Sequence, residues 1–199
     1  MKSSSPPTSH ILLHARKLIQ QGRRVAALTP SSRALALAEC YGIDPRLPQV
    51  IVELGAGMGP VTAVAAARMH PESHLIAIEQ DPEFAAVARQ VAPQAEVIEA
   101  DVTNLRALLA QRGIDRVDVV LSGLPTPSLP REVVLPVLEW FASLPNDPIF
   151  NQITVMPWVY LSMYRRLFRQ VEFELVLANL PPGGVYHCRG IKPDFARSL

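Results

Sequence analysis

Glu53-Leu-Gly55-Ala-Gly57-Met-Gly59 closes the apolar run Val50-Ile-Val-Glu-Leu54 and leads straight into Pro60. A β-branched run ending in closely spaced glycines, with proline next, reads as a strand, a tight turn and the first turn of a helix. Glycines in such a turn let the backbone come close to a ligand, and the helix start offers unpaired N–H groups. Glycines at 55, 57 and 59 depart from the G-x-G-x-x-G fingerprint, whose third glycine would fall where Pro60 stands. Glu53, two residues before the first glycine, suits a ligand that carries an ammonium group.

Downstream the same alternation repeats. Residues 60–69 read as helix, 75–78 as strand, 82–90 as helix capped by Asp81, 96–98 as strand, 103–111 as helix and 117–121 as strand. Helix is then expected over 130–144, strand over 149–155, helix over 158–169 and strands over 172–177 and 185–189. Repeated strand–helix units predict an α/β fold, with a parallel sheet covered by helices on both faces. Asn179-Leu-Pro-Pro-Gly-Gly184 is too short for a crossover helix, so the last strand should run antiparallel. The expected architecture is Rossmann-like, a seven-stranded and mostly parallel sheet with its last strand antiparallel.

Upstream, Thr29-Pro30-Ser31-Ser32 reads as a helix start, with Thr29 as N-cap, leading into residues 33–40 and stopped by Gly42. A short basic amphipathic helix is expected from His10 to Gln21. Ile11, Leu12, Ala15, Leu18 and Ile19 share one face of it, Leu13 is the exception, and His14, Arg16, Lys17 and Gln20 lie opposite. The organisation expected is a disordered lead over 1–9, an N-terminal helical extension over 10–45 and a ligand-binding domain over 46–199.

In the chain of 199 residues, 49% are hydrophobic and 19% charged, proportions of a globular domain rather than a disordered chain. No apolar run approaches the roughly 18 residues a spanning helix needs. The run at Ile11, Leu12 and Leu13 is broken by His14, Arg16 and Lys17 before a signal-peptide core could form, so a cytoplasmic location is expected. The net charge of +1 hides an asymmetry: Lys2, Arg16, Lys17, Arg23, Arg24 and Arg33 precede the first acid, Glu39. Such a block attracts a polyanion, either a nucleic-acid backbone or an anionic membrane, and composition alone does not choose. Cys40 and Cys188 suggest neither a disulfide framework nor a thiolate site. His10/His14 and His70/His74 have i,i+4 spacing, but Pro71 breaks the second pair and no H-E-x-x-H arrangement occurs, so no metal is expected.

Two further acids stand at strand ends. Glu79, about twenty residues past the glycines, is placed to accept ribose hydroxyls, and Asp101, after the third strand, to accept from an adenine amine. Either alone could be a helix N-cap. Together with Glu53 they form a constellation that resembles the class I S-adenosylmethionine-dependent methyltransferases. After the fourth strand comes Ser122-Gly-Leu-Pro125, where amine methyltransferases commonly carry an Asp/Asn-Pro-Pro-aromatic tetrad. Thr126 replaces the aromatic, so a flat base would lack its stacking platform.

From about Arg23 to Arg189 the chain resembles the bacterial phospholipid N-methyltransferases, which convert phosphatidylethanolamine stepwise toward phosphatidylcholine. The likeness rests on Ala26-Ala-Leu-Thr-Pro-Ser-Ser-Arg-Ala-Leu35, Val52-Glu-Leu-Gly-Ala-Gly57, Ser122-Gly-Leu-Pro125 and Asn179-Leu-Pro-Pro-Gly-Gly-Val-Tyr186. It implies S-adenosylmethionine as cofactor, held by Glu53, Gly55, Gly57, Glu79, Gln80, Asp101, Val102, Ser122, Gly123 and Leu124, with Pro30, Ser31 and Ser32 as a lid edge. It implies an amino phospholipid as substrate and docking of the 10–21 helix on the inner face of an anionic membrane. Ser122, Tyr186 and His187 are the candidate catalytic residues: Ser122 stands where the incoming amine is expected, and Tyr186 or a neutral His187 suits contact with the phosphate or acceptance of the proton. A monomer with no nucleic-acid partner is expected. Trp158, on the expected 158–169 helix with Arg165 and Arg169, suits the headgroup layer.

The sequence departs from that family in two places. Thr154-Val-Met-Pro157 replaces a Thr-Tyr-Gly-Pro segment, and Thr126-Pro-Ser-Leu-Pro130 replaces an Asn-containing stretch. Both fall where a head-group pocket is expected, which keeps another amino lipid, such as an ornithine lipid, as an alternative substrate. An rRNA adenine methyltransferase is a second alternative. It shares the glycine loop and basic N-terminus, but should carry an aromatic after Pro125 and a higher pI than 7.9. A non-catalytic membrane-binding descendant of the fold is a third.

Overall fold

The computed structural model describes residues 32–156 and 158–199. Strands β1 (Val50–Leu54), β2 (His74–Glu79), β3 (Glu96–Glu99), β4 (Val119–Ser122), β5 (Ile149–Thr154), β6 (Phe168–Val176) and β7 (Gly183–Ile191) form one seven-stranded sheet of order β3-β2-β1-β4-β5-β7-β6. β7 pairs antiparallel with both β5 and β6, and the other pairings are parallel. The expected Rossmann-like architecture is the observed one.

Helices α1 (Arg33–Glu39), α2 (Pro60–Arg68), α3 (Pro82–Val91), α4 (Leu105–Ala110), α5 (Arg131–Ala142) and α6 (Leu161–Leu167) cover the sheet. Alternate strand residues feed two faces. Val52, Leu54, Val120, Phe150, Tyr186 and Cys188 pack with α4, α5 and α6. Ile51, Leu75, Val119, Leu121 and Ile149 pack with Ala36 of α1 and Val61 and Ala65 of α2. Phe141, Phe150 and Phe168 form an aromatic knot in the first layer, with centroids 5.4 to 5.9 Å apart.

Three local readings are corrected. The N-cap of α1 is Ser32, whose hydroxyl accepts from the Leu35 N–H at 3.2 Å, whereas Thr29 lies outside the described residues. The expected 103–111 helix begins as a 3-10 turn, Val102–Asn104, because Asp101 caps it one residue earlier. The expected 158–169 helix is only α6: Trp158 precedes it at φ +64°, a conformation disfavoured for an aromatic residue, and Arg169 belongs to β6. Trp158 therefore shares no helix face with Arg165 or Arg169, and its ring packs at 5.9 Å on Phe173 of β6.

Among the described residues no helix is long and apolar enough to cross a membrane, and no cluster of His, Cys, Asp and Glu could hold a metal ion. His74 starts β2 and meets Glu96 at 3.1 Å, while His70 accepts from the Glu72 N–H at 3.1 Å, so that pair shares no helix. The His10/His14 pair and the basic 10–21 segment fall outside the described residues.

Candidate functional site

The strand order reverses between β1 and β4, and in open α/β sheets the crevice at the carboxyl ends of such strands receives the ligand. Here the loop after β1 meets the loop after β4. A Cβ on Gly123 would lie 2.9 Å from the Gly55 carbonyl oxygen, so only glycine fits, and the Gly123 N–H donates to the Leu54 carbonyl at 3.0 Å. Leu124 closes over Gly55 from the same side. Gly57 has φ +59° and would point a Cβ into open space, the position from which a backbone can approach a ligand.

The acids expected to grip a nucleoside stand along this edge. Glu79 is fully buried, and its two oxygens accept from the Gly57 N–H and the Asp81 N–H, each at 2.8 Å. It thus fixes the glycine loop at the edge where a ligand would lie. Asp101 accepts through Oδ1 from the Thr103 N–H at 2.9 Å and the Thr103 hydroxyl at 2.8 Å, so it is also the cap of its turn. Gln80 and Val102, the residues that follow Glu79 and Asp101, are half-buried.

Ser122 ends β4 with its hydroxyl buried and without a partner. Its carbonyl is held by Gln152, whose amide nitrogen contacts the carbonyls of Ser122 at 3.0 Å, Leu124 at 2.7 Å and Ile153 at 3.0 Å. The Gln152 oxygen accepts from the Thr126 hydroxyl at 2.8 Å. Register places Ser122, Gln152 and Tyr186 in one row across β4, β5 and β7, hence on one face. Tyr186 is fully buried and stacks on Tyr164 of α6 at 4.7 Å, and both phenol hydroxyls lack a partner. Burial pushes both phenols up, so both keep their protons.

The neighbouring row, Glu53, Leu121, Asn151 and His187, faces the other way, under α1 and α2. His187 and Tyr186 are consequently divided by the sheet. His187 Nδ1 lies 2.7 Å from Asn151 Oδ1 and Nε2 3.3 Å from Glu174, with the Tyr41 ring at 4.7 Å. The Asn151 amide donates to the Tyr41 carbonyl at 2.8 Å, which leaves its oxygen to accept from His187. Burial lowers the His187 pKa against the pull of Glu174. The cluster anchors the chain just after α1.

Glu53 is buried under α1, and burial lifts its carboxyl to about 7, eased by the Thr62 hydroxyl and reinforced by the charge of Glu79. Close to it is Glu39, the last residue of α1, buried as deeply, its carboxyl likewise pushed up by burial and by Glu53. Sequence reading passed over both Glu39 and Gln152. The signal for Glu39 was an acid on the stripe Leu35, Ala36 and Cys40. For Gln152 it was a pair of amides inside the apolar strand Ile149–Thr154.

α1 is tied to the far side of the site. The Ser32 N–H donates to Asn179 Oδ1 at 2.9 Å, and the Asn179 amide donates to the Pro181 carbonyl at 2.7 Å. Pro30 and Ser31, expected beside Ser32 in the lid edge, fall outside the described residues.

The fold and this crevice define a class I S-adenosylmethionine-dependent methyltransferase. Among solved structures, human methyltransferase-like protein 13 in complex with SAH superposes with TM-score 0.57 at 20% identity, covering 84% of this chain and 87% of that one. Phosphoethanolamine N-methyltransferase 1 of Haemonchus contortus superposes with TM-score 0.59 at 12% identity, over 90% of this chain and 50% of that one. No family model matches the chain. An ornithine lipid N-methyltransferase of Singulisphaera acidiphila is 44% identical over 183 residues, 90% of this chain and 95% of that protein, and the chain belongs to its family. A tRNA (guanine-N(7)-)-methyltransferase of Nitrosospira multiformis is 27% identical, over 98% of this chain and 74% of that protein.

Proposed function

We propose that this methyltransferase methylates the amine of a membrane amino lipid of the ornithine-lipid kind. The observation that carries the reading is the 44% identity, nearly end to end, to an ornithine lipid N-methyltransferase. It favours the alternative acceptor of the sequence reading over phosphatidylethanolamine. The departures at Thr126 and at Thr154-Val-Met point the same way, since both fall where the head group would lie.

The residues at the crevice fit S-adenosylmethionine, which supplies an electrophilic methyl group when bound. Glu79 with Gln80 would hold the ribose, Asp101 with Val102 the adenine, and Glu53, Gly55, Gly57, Gly123 and Leu124 the methionine end. Ser32 would edge the lid.

On the acceptor side, the unpartnered hydroxyls of Ser122 and Tyr186 would orient the incoming amine and the polar head group. An alkyl amine is protonated below about 10, so it must lose a proton before it attacks, and alignment of amine and methyl is the larger part of the task.

A lipid acceptor also agrees with the rim of the crevice. Val155, Met156, Trp158 and Val159 after β5, and Leu177 and Leu180 between β6 and β7, are all about half or more exposed. The register of Thr154 with Gly184 and of Val176 with Gly183 brings these two loops to one end of the sheet. Such a rim gives acyl chains an apolar surface beside the polar crevice. The basic 10–21 segment would add peripheral attachment to the anionic inner face of the membrane.

The test is methyl transfer from labelled S-adenosylmethionine to anionic vesicles containing ornithine lipid or phosphatidylethanolamine, with RNA as a parallel acceptor. Label in ornithine lipid is expected. Label only in phosphatidylethanolamine or only in RNA overturns the proposal.

A further inference from the structure

We propose that Glu39 is a cofactor-holding residue, its carboxyl joining that of Glu53 to receive the α-ammonium group at the methionine end of S-adenosylmethionine.

Nothing in the packing calls for an acid at this place. Glu39 is 1% exposed, and it neighbours Glu53, which is 2% exposed. It ends a helix, where unpaired carbonyls already make the surroundings negative. Leu35, Ala36, Ala38 and Cys40 around it are buried and small or apolar, and an apolar residue would pack there at lower cost.

Both oxygens of Glu39 and Oε2 of Glu53 are buried without a hydrogen-bond partner, and Glu39 forms no ion pair with any described residue. The groups that face the pair are few. From α2 come the Thr62 hydroxyl and, acting on the adjacent Cys40, Arg68. From β2 comes Glu79, and from β4 the main chain at Ser122, near Glu39 but outside hydrogen-bond reach of it. That proximity sets Glu39 against the strand whose next residues, Gly123 and Leu124, pack on the glycine loop.

Two deeply buried carboxyls with orphaned oxygens beside a nucleoside-binding crevice constitute a receptor for a compact cation. The cofactor offers one in its α-ammonium, whose N–H donors would satisfy those oxygens. The inference rests on the cofactor class alone, so it stands or falls independently of the acceptor.

The experiment uses calorimetric titration with S-adenosylhomocysteine and with the same compound lacking its α-amino group. Glu39→Gln keeps size and removes the carboxyl that could ionise against the ammonium. It is expected to weaken S-adenosylhomocysteine by about tenfold or more and to leave the deamino compound within about twofold of wild type. Its melting temperature should equal or exceed that of wild type, since a buried unpaired acid has been removed. Glu39→Met provides the same comparison with an apolar side chain of similar length if the amide is poorly accommodated. Unchanged affinity for S-adenosylhomocysteine overturns the proposal. So does equal loss for both compounds, which would mean that Glu39 acts only through the shape of the pocket.

Discussion

Gln152 lies directly across from Ser122 in the β4–β5 register, and its amide nitrogen reaches back 3.0 Å to the Ser122 carbonyl. The same side chain holds Leu124 and Thr126, so one buried amide fixes the course of the loop that follows β4.

Gln152→Leu leaves the carbonyls of Ser122 and Leu124 and the Thr126 hydroxyl without their partner. A loss of about 2–4 kcal/mol of stability is expected, from the cost of stranding buried polar groups. Methyl transfer should fall by more than affinity for S-adenosylhomocysteine does, because the acceptor side depends on this loop. Denaturant unfolding and titration would check both, and a variant with wild-type stability would contradict the loop-clamp role.

Gly123→Ala tests the close approach of the two loops. The added methyl meets the backbone oxygen of Gly55, which cannot swing aside as a side-chain tip would. An overpacking cost of about 1–3 kcal/mol and a clear drop in S-adenosylhomocysteine affinity are expected. Binding at wild-type strength would show that the loops can separate without consequence.

Glu79→Gln should weaken cofactor binding sharply, since one oxygen of the carboxylate that accepts from Gly57 and Asp81 becomes a donor. Hydrogen exchange at the amides of Gly57 and Asp81 should rise in the free protein. Protected amides in the variant would mean that the glycine loop holds its shape unaided.

The Glu53 carboxyl sets a pH dependence. Its ordinary value of 4.5 is raised to about 7 in the fold, so its contribution to stability is fullest below 4.5 and is lost as pH rises through about 7. Glu53→Gln is therefore expected to be more stable than wild type at pH 8, by about 1–3 kcal/mol, with most of the advantage gone at pH 5. Thermal unfolding at the two pH values measures this, and the opposite order would show that a partner holds Glu53 ionised.

Asn179→Ala should free the start of α1, because the Ser32 N–H loses its acceptor. Faster hydrogen exchange at Ser32, and a loss of about 1 kcal/mol, are expected. Protection equal to wild type would show that the cap of α1 needs no contact from the β6–β7 connection.

Local chemistry made much of the molecule legible. Apolar runs of strand length, glycines after the first of them and acids at the ends of the next two fixed the βα repeat, because those signals act over a few residues. The Asp81-Pro82 helix start is legible in the sequence, while the α1 cap falls at Ser32 because several neighbouring residues could each supply a capping oxygen. Trp158 shows the limit of periodicity: the apolar and basic spacing continued past the true ends of α6, and nothing local announced where the helix stopped.

By itself the sequence determined the order of elements, the mostly parallel sheet and the glycine-loop edge on which Glu79 and Asp101 stand. Tertiary structure alone decided what crosses between distant segments. It set Gln152 under Ser122, joined Asn179 to Ser32 and brought Glu39 to Glu53. The physical reason is that a strand's alternation assigns its side chains to two faces without saying which helix covers either. Only packing brings together residues separated by more than a hundred positions, as Ser32 and Asn179 are.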